Sequence, residues 1–157
     1  IAFCSTRKSV SVLERGLKKE GIKVGAISSD LDQSQRENVM INFKNGKINV
    51  LVATNIVARG IDIVGVELVV NYDVPRDAEE YVHRIGRTAR ADAKGIAFTF
   101  ISEEEQRDFH DIEKLIDMDI KKVKIPQHIG ESPEYDPSKR HASKGRRPSK
   151  PFRKRNK

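Results

Sequence analysis

The chain has 157 residues, room for one ordinary domain, and carries 30 Lys and Arg against 23 Asp and Glu, a formal net charge of +7. A single cysteine, Cys4, excludes an internal disulfide and a thiolate metal cluster, and His83, His110, His128 and His141 lack metal-ligand spacing, so no metal site is expected. No apolar run approaches the roughly 20 residues needed to cross a bilayer, and no secretory leader opens the sequence, so the expectation is a cytoplasmic protein of a reducing compartment with no membrane partner.

Apolar runs alternate with helical patterns along the chain. Ile1–Cys4 reads as a strand, and its uncapped apolar start leads to the expectation that the natural protein has more chain before it. Residues 6–20 follow as an amphipathic helix with Val10, Leu13 and Leu17 on one face, closed by Gly21. Residues 23–27 read as a short strand and 33–44 as a helix with Val39, Met40 and Phe43 on one side. The runs 49–53 and 67–71 are the clearest strands. Residues 77–87 form a helix with Asp77 placed to cap it, and 95–101 another strand. Ser102 with Glu103–Glu105 opens a helix that buries Phe109, Ile112 and Ile116, and 121–125 reads as a last strand or edge. Strands rich in Val, Ile and Leu, alternating with helices, imply an α/β doubly wound parallel sheet with helices on both faces, spanning residues 1–125.

The character changes at Pro126. Residues 1–125 hold equal numbers of basic and acidic side chains, whereas 126–157 hold 10 basic against 3 acidic and five of the six prolines. So little apolar content cannot offset the entropy of ordering, and 126–157 is expected to be a disordered basic tail. The 10 Lys and Arg within 138–157, with no acid among them, suit an arm that releases counterions from nucleic acid. Phe152 alone offers stacking there, so recognition is expected to be sequence-tolerant.

No phosphate-cradling G-x-x-x-x-G-K-[ST] loop is present, because Gly46-Lys47 is followed by Ile48, and no G-x-G-x-x-G opens a helix. The stretch Tyr81–Arg90 carries Arg84, Arg87, Arg90 and His83. Spaced by three, these arginines are expected to point roughly one way on a helix or tight turn, which suits a polyanion or the charge on a transferring phosphoryl group. A solvated face paired with Glu79 and Glu80 is the plainer alternative.

These residues resemble the C-terminal RecA-like domain of DEAD-box ATP-dependent RNA helicases. Residues 52–63 (VATNIVARGIDI) are similar to motif V of that family, 81–90 (YVHRIGRTAR) to motif VI, and 1–7 to motif IV. Residues 30–36 (DLDQSQR) carry its Q-x-x-R element, and Asn71-Tyr72-Asp73-Val74-Pro75 is the usual lead-in to motif VI. The match covers about residues 1–125 in the family's order, and Thr88–Ala91 with the basic tail most resembles the bacterial RhlE-type branch.

The resemblance implies an RNA-stimulated ATPase in which ATP and Mg2+ are held mainly by an N-terminal RecA-like domain carrying Walker A and DEAD motifs. This chain alone, lacking those motifs, is then expected to be inactive. Catalytic roles fall on Arg87 and Arg90, as arginine fingers, and on His83, which couples hydrolysis to closure. Gly60 and Asp62 would join Arg87 and Arg90 at the nucleotide, while Arg7, Gln33, Arg36, Thr54 and Arg59 would grip RNA. Asn55, Ala89 and Ser28 stand where many members have Asp, Gly and His, departures expected to tune function. The alternative from another class is a non-catalytic RNA-binding or chaperone module acting through the tail.

Overall fold

A computed structural model describes residues 1–54, 63, 65–88 and 95–139. Five strands form one sheet: β1 (Ala2–Cys4), β2 (Val24–Ile27), β3 (Val50–Thr54), β4 (Leu68–Asn71) and β5 (Ile96–Thr99). Their order across the sheet is β2-β3-β1-β4-β5, and every pairing is parallel. Four helices accompany them: α1 (Arg7–Lys19), α2 (Gln33–Lys44), α3 (Ala78–Ile85) and α4 (Gln106–Ile116), the last entered through a 3-10 turn at Glu103–Glu105. This is the RecA-like α/β arrangement expected from the alternation of elements.

Side chains alternate across a strand, so neighbouring residues feed opposite faces. Val10 of α1, with Leu13 and Leu17, packs on Ala2, Cys4, Val24 and Val52. Val39, Met40 and Phe43 of α2 pack on Ile27, Leu51 and Ala53 from the other side. A third cluster joins α3 to α4 through Val74, Tyr81, Phe109 and Ile112, with Tyr81 and Phe109 edge-to-face at 6.3 Å between centroids. The edge strand β5 leaves Ile96, Phe98 and Phe100 exposed.

Local chemistry sets the helix starts. The Thr6 hydroxyl caps α1 by accepting the Ser9 N–H at 3.0 Å. Asp32 and Gln35 form a reciprocal capping box on α2, at 2.7 and 3.0 Å. Asp77 caps α3 as expected, and the Glu105 carboxylate accepts from Ser102 N–H and hydroxyl at the head of α4.

Two expectations need correction. Residues 121–125 do not form a strand; they run extended beside α4, where Glu113 takes the Ile120 N–H and the Lys122 ammonium. Nor does order end at Pro126. Tyr135 packs edge-to-face on Phe109 with centroids 6.4 Å apart, and Gln106 holds the backbone of Glu134 and Asp136. One aromatic ring and a buried amide supply the apolar contact and backbone partners that composition averaged over 126–157 conceals. Residues 140–157 lie outside the described residues. No described helix is long and apolar enough to cross a membrane.

Candidate functional site

The carboxyl ends of β1, β2, β3 and β4 converge on a polar surface. Arg7 opens α1 directly after β1, and its guanidinium pairs with Asp30 in the β2–α2 loop; the two side chains are 63% and 61% exposed. The Asp73 carboxylate, just beyond β4, accepts the Ser5 N–H at 2.8 Å, joining the exits of β1 and β4. Thr54 ends β3 opposite Cys4 and is 9% exposed. Gln33 and Arg36 lie in the first turn of α2, at this same end. The Gln33 amide donates to Glu37 at 2.8 Å, and the Arg36 Nε is buried without a hydrogen-bond partner among the described residues. Arg7, Gln33, Arg36 and Thr54 are therefore brought to one end of the sheet. Together they offer two guanidinium groups, an amide and a hydroxyl, a donor set suited to phosphate oxygens.

Arg87 lies at the opposite end. α3 runs back from the carboxyl end of β4 and stops at Gly86. The Val66 N–H then donates to the Arg87 carbonyl at 3.2 Å, and Thr88 bridges Val66 in parallel while its hydroxyl donates to the Val66 carbonyl at 2.5 Å. Val66 precedes β4 by two residues, so Arg87 is pinned through its backbone to the amino edge of the sheet. Its side chain is half-buried and has no ion-pair partner among the described residues. A permanently charged fork anchored in this way fits an anionic group approaching from outside the chain. His83 is exposed on α3.

The expectation that Arg84 and Arg87 face one way does not hold. Arg84 is 3% exposed and lies in the core. Its Nη1 donates to the Asn71 side-chain oxygen at 3.1 Å and the Asp73 carbonyl at 2.9 Å, and the guanidinium lies 5.5 Å from the Phe3 ring centroid. Burial pushes its pKa down to about 10, against the opposing pull of Glu80 and Asp73, so it stays charged at neutral pH. The helix ends at Ile85, so the turn at Gly86 breaks the three-residue alignment between Arg84 and Arg87. Arg59, Gly60, Asp62 and Arg90 lie outside the described residues.

Sequence reasoning passed over Asp30 and Asp73, which hold Arg7 and Ser5, and the inward role of Arg84. A signal existed for Arg84: it sits three residues after Tyr81 and beside Ile85, on the stripe that Ala78, Tyr81 and Ile85 define. For Asp30 and Asp73 no local signal existed, because their partners are 23 and 68 residues away.

The helicase conserved C-terminal domain family matches residues 1–92. The chain is 43% identical over 131 residues to the ATP-dependent RNA helicase eIF4A of Meyerozyma guilliermondii, covering 83% of this chain and 33% of that protein. It superposes on a DEAD box protein from the hyperthermophile Methanococcus jannaschii with a TM-score of 0.74 and 44% identity, covering 78% of this chain and 34% of that one. It also superposes on the E. coli DEAD-box protein SrmB, solved bound to regulator of ribonuclease activity A, with a TM-score of 0.76 and 33% identity, covering 91% of this chain and 80% of that one. The chain spans a quarter to a third of the length of the curated relatives it matches.

Proposed function

The chain belongs to the helicase conserved C-terminal domain family, as the C-terminal RecA-like domain of a DEAD-box RNA helicase, and from that premise we propose that it works as half of an RNA-stimulated ATPase. In this reading the carboxyl end of its sheet grips an RNA backbone, and the amino edge faces a nucleotide on an N-terminal RecA-like domain of the same protein. ATP and Mg2+, held mainly by that other domain, supply the phosphoanhydride to be cleaved.

The observation that carries the proposal is the separation of two cationic sites on one rigid sheet. Arg7 and Arg36 stand at the carboxyl end, and Arg87 at the amino edge of β4. Arg87 then acts as an arginine finger, offering a preorganised fork to charge developing on a terminal phosphate. Arg90, Gly60 and Asp62 are proposed to complete that edge, and His83, exposed on α3, to couple it to closure of the two domains. Arg7, Gln33, Arg36, Thr54 and Arg59 are proposed to bind RNA, with the basic residues beyond Ser138 as an auxiliary arm. The phosphodiester backbone rather than the bases is the expected target, since guanidinium, hydroxyl and amide donors position a strand without reading sequence.

Because the Walker A and DEAD motifs are not in these 157 residues, the chain alone is expected not to hydrolyse ATP. The test is RNA-stimulated ATP turnover by the complete protein with Arg87→Ala: a fall in kcat with little change in ATP affinity is expected, and unchanged turnover would refute the finger.

A further inference from the structure

The chain leaves α4 at the wrong end of the sheet and is brought back. α4 begins next to the carboxyl end of β4, where the Val74 N–H donates to Glu105 at 3.0 Å. It ends 11 residues later, about 16 Å away at 1.5 Å per residue. Asp117 follows in the left-handed region, with φ 50°, and reverses the chain. Residues 120–136 then retrace α4 and are clamped by two of its buried side chains. Glu113, 7% exposed, accepts from the Ile120 N–H at 2.8 Å, the Lys122 ammonium, and the Tyr135 hydroxyl at 3.0 Å. Gln106, 3% exposed and the first residue of α4, donates to the Glu134 carbonyl at 2.8 Å and accepts the Asp136 N–H at 2.7 Å. Lys122 also lies over the Tyr135 ring, 4.7 Å from its centroid.

We propose that Gln106 and Glu113 are positioning residues that hold 120–136 as a strap. The strap returns the chain to the carboxyl end of the sheet, so that the basic arm of residues 140–157 and the Arg7–Arg36 surface engage one RNA strand together. The inference rests on the RNA-binding reading of that surface and of the arm. The arm holds nine Lys and Arg and no acid in 18 residues, and a flexible coil of that length reaches about 23 Å. The distance from β4 across β1 to β3 is two strand spacings, about 10 Å, so a strand gripped there lies within reach. Leaving α4 at Ile116 instead would add the helix length to that reach. The strap thus raises the effective concentration of the arm at the gripping surface, a gain that needs no further contact.

The test measures affinity of the full chain for labelled oligouridylates of about 20 and about 6 nucleotides, the shorter within the span of a single site. Three variants are compared with the parent: Gln106→Ala with Glu113→Gln, a flexible Gly/Ser insert of about 20 residues between Lys139 and Arg140, and deletion of 140–157. The clamp variant and the insert are each expected to weaken the long RNA by roughly three- to tenfold, as a longer tether dilutes the arm, and to leave the short RNA unchanged. Unchanged affinity for the long RNA in the insert overturns the strap, as does equal weakening of both RNAs in the clamp variant. The insert touches no packed residue, so it decides the matter if the clamp variant does not fold. Deletion of 140–157 with no loss of affinity sinks the RNA-binding arm itself, a failure separate from that of the strap.

Discussion

The Nη1 atom of Arg84 donates to the side-chain oxygen of Asn71 across 3.1 Å, with both residues buried. The bond joins α3 to the last residue of β4, and a second, to the Asp73 carbonyl, fixes the turn whose carboxylate holds Ser5. Removing the guanidinium leaves these oxygens buried without their donor. Arg84→Ala is expected to cost about 3 kcal/mol, in the range for breaking a buried charged network. Urea denaturation measures it, and a cost under about 0.5 kcal/mol, the size of an ordinary surface change, would return Arg84 to the solvated face.

Arg7 should separate stability from binding. Its pair with Asp30 is more than half exposed on both sides, so Arg7→Ala is expected to change stability by less than about 1 kcal/mol. The same variant removes a cation from the proposed RNA surface, and RNA affinity should fall with a shallower salt dependence. A melting curve with a salt titration of RNA binding checks both halves; an unaltered salt slope removes Arg7 from the interface.

Arg87→Ala in the complete protein is expected to lower kcat by at least about 100-fold, below the 10³–10⁵ reported for fingers supplied by a partner protein. KM for ATP should move little, because the interaction strengthens only as charge develops. Thr88→Val, which removes the hydroxyl bonded to the Val66 carbonyl, should lower kcat less, since Arg87 keeps its guanidinium but loses part of its anchor. Steady-state ATPase assays with saturating RNA compare the two.

Asp32→Ala removes the acceptor of the Gln35 N–H at the head of α2. A loss of about 1 kcal/mol is expected for such a cap, read as a lowered Tm. That helix start also carries Gln33 and Arg36, so RNA affinity should weaken in parallel.

Cys4 sets an alkaline limit. Fully buried, its thiol is pushed up to about 12 by desolvation first and by Asp73 second, against an ordinary value of 9.0. A raised folded pKa means that the unfolded chain loses its proton first, so this contribution is complete below pH 9 and declines above it. Between pH 9 and 10, below the titration of Arg84, stability should fall by up to about 1.4 kcal/mol per pH unit. Cys4→Ala should flatten that decline in denaturant titrations across the interval; equal slopes in the two proteins would contradict it.

Much of the architecture was legible from short-range chemistry. Val10, Leu13 and Leu17 recur at helical spacing, and Asp32 and Asp77 sit where caps are needed. The apolar runs around Leu51 and Val69 have strand length, and each signal acts within a few residues. The 121–125 strand was misread because a short apolar run does not reveal whether a sheet edge will accept it; here Glu113 supplies its backbone and ammonium partners instead. The tail boundary was misread because Tyr135 is one aromatic ring in a polar stretch, and its partners Phe109 and Glu113 are distant in sequence.

Sequence by itself determined the alternation of strands and helices, the helix caps, the family and the arginine content of its motifs, all properties of local pattern. Only the tertiary structure decided the order β2-β3-β1-β4-β5, the placing of Arg7 and Arg87 at opposite ends of one sheet, the turning of Arg84 into the core, and the return of residues 120–136 along α4. Those features depend on which distant groups meet. A buried charge or a reversed chain persists when partners far along the sequence satisfy its polar atoms, and spacing along one segment carries no record of them.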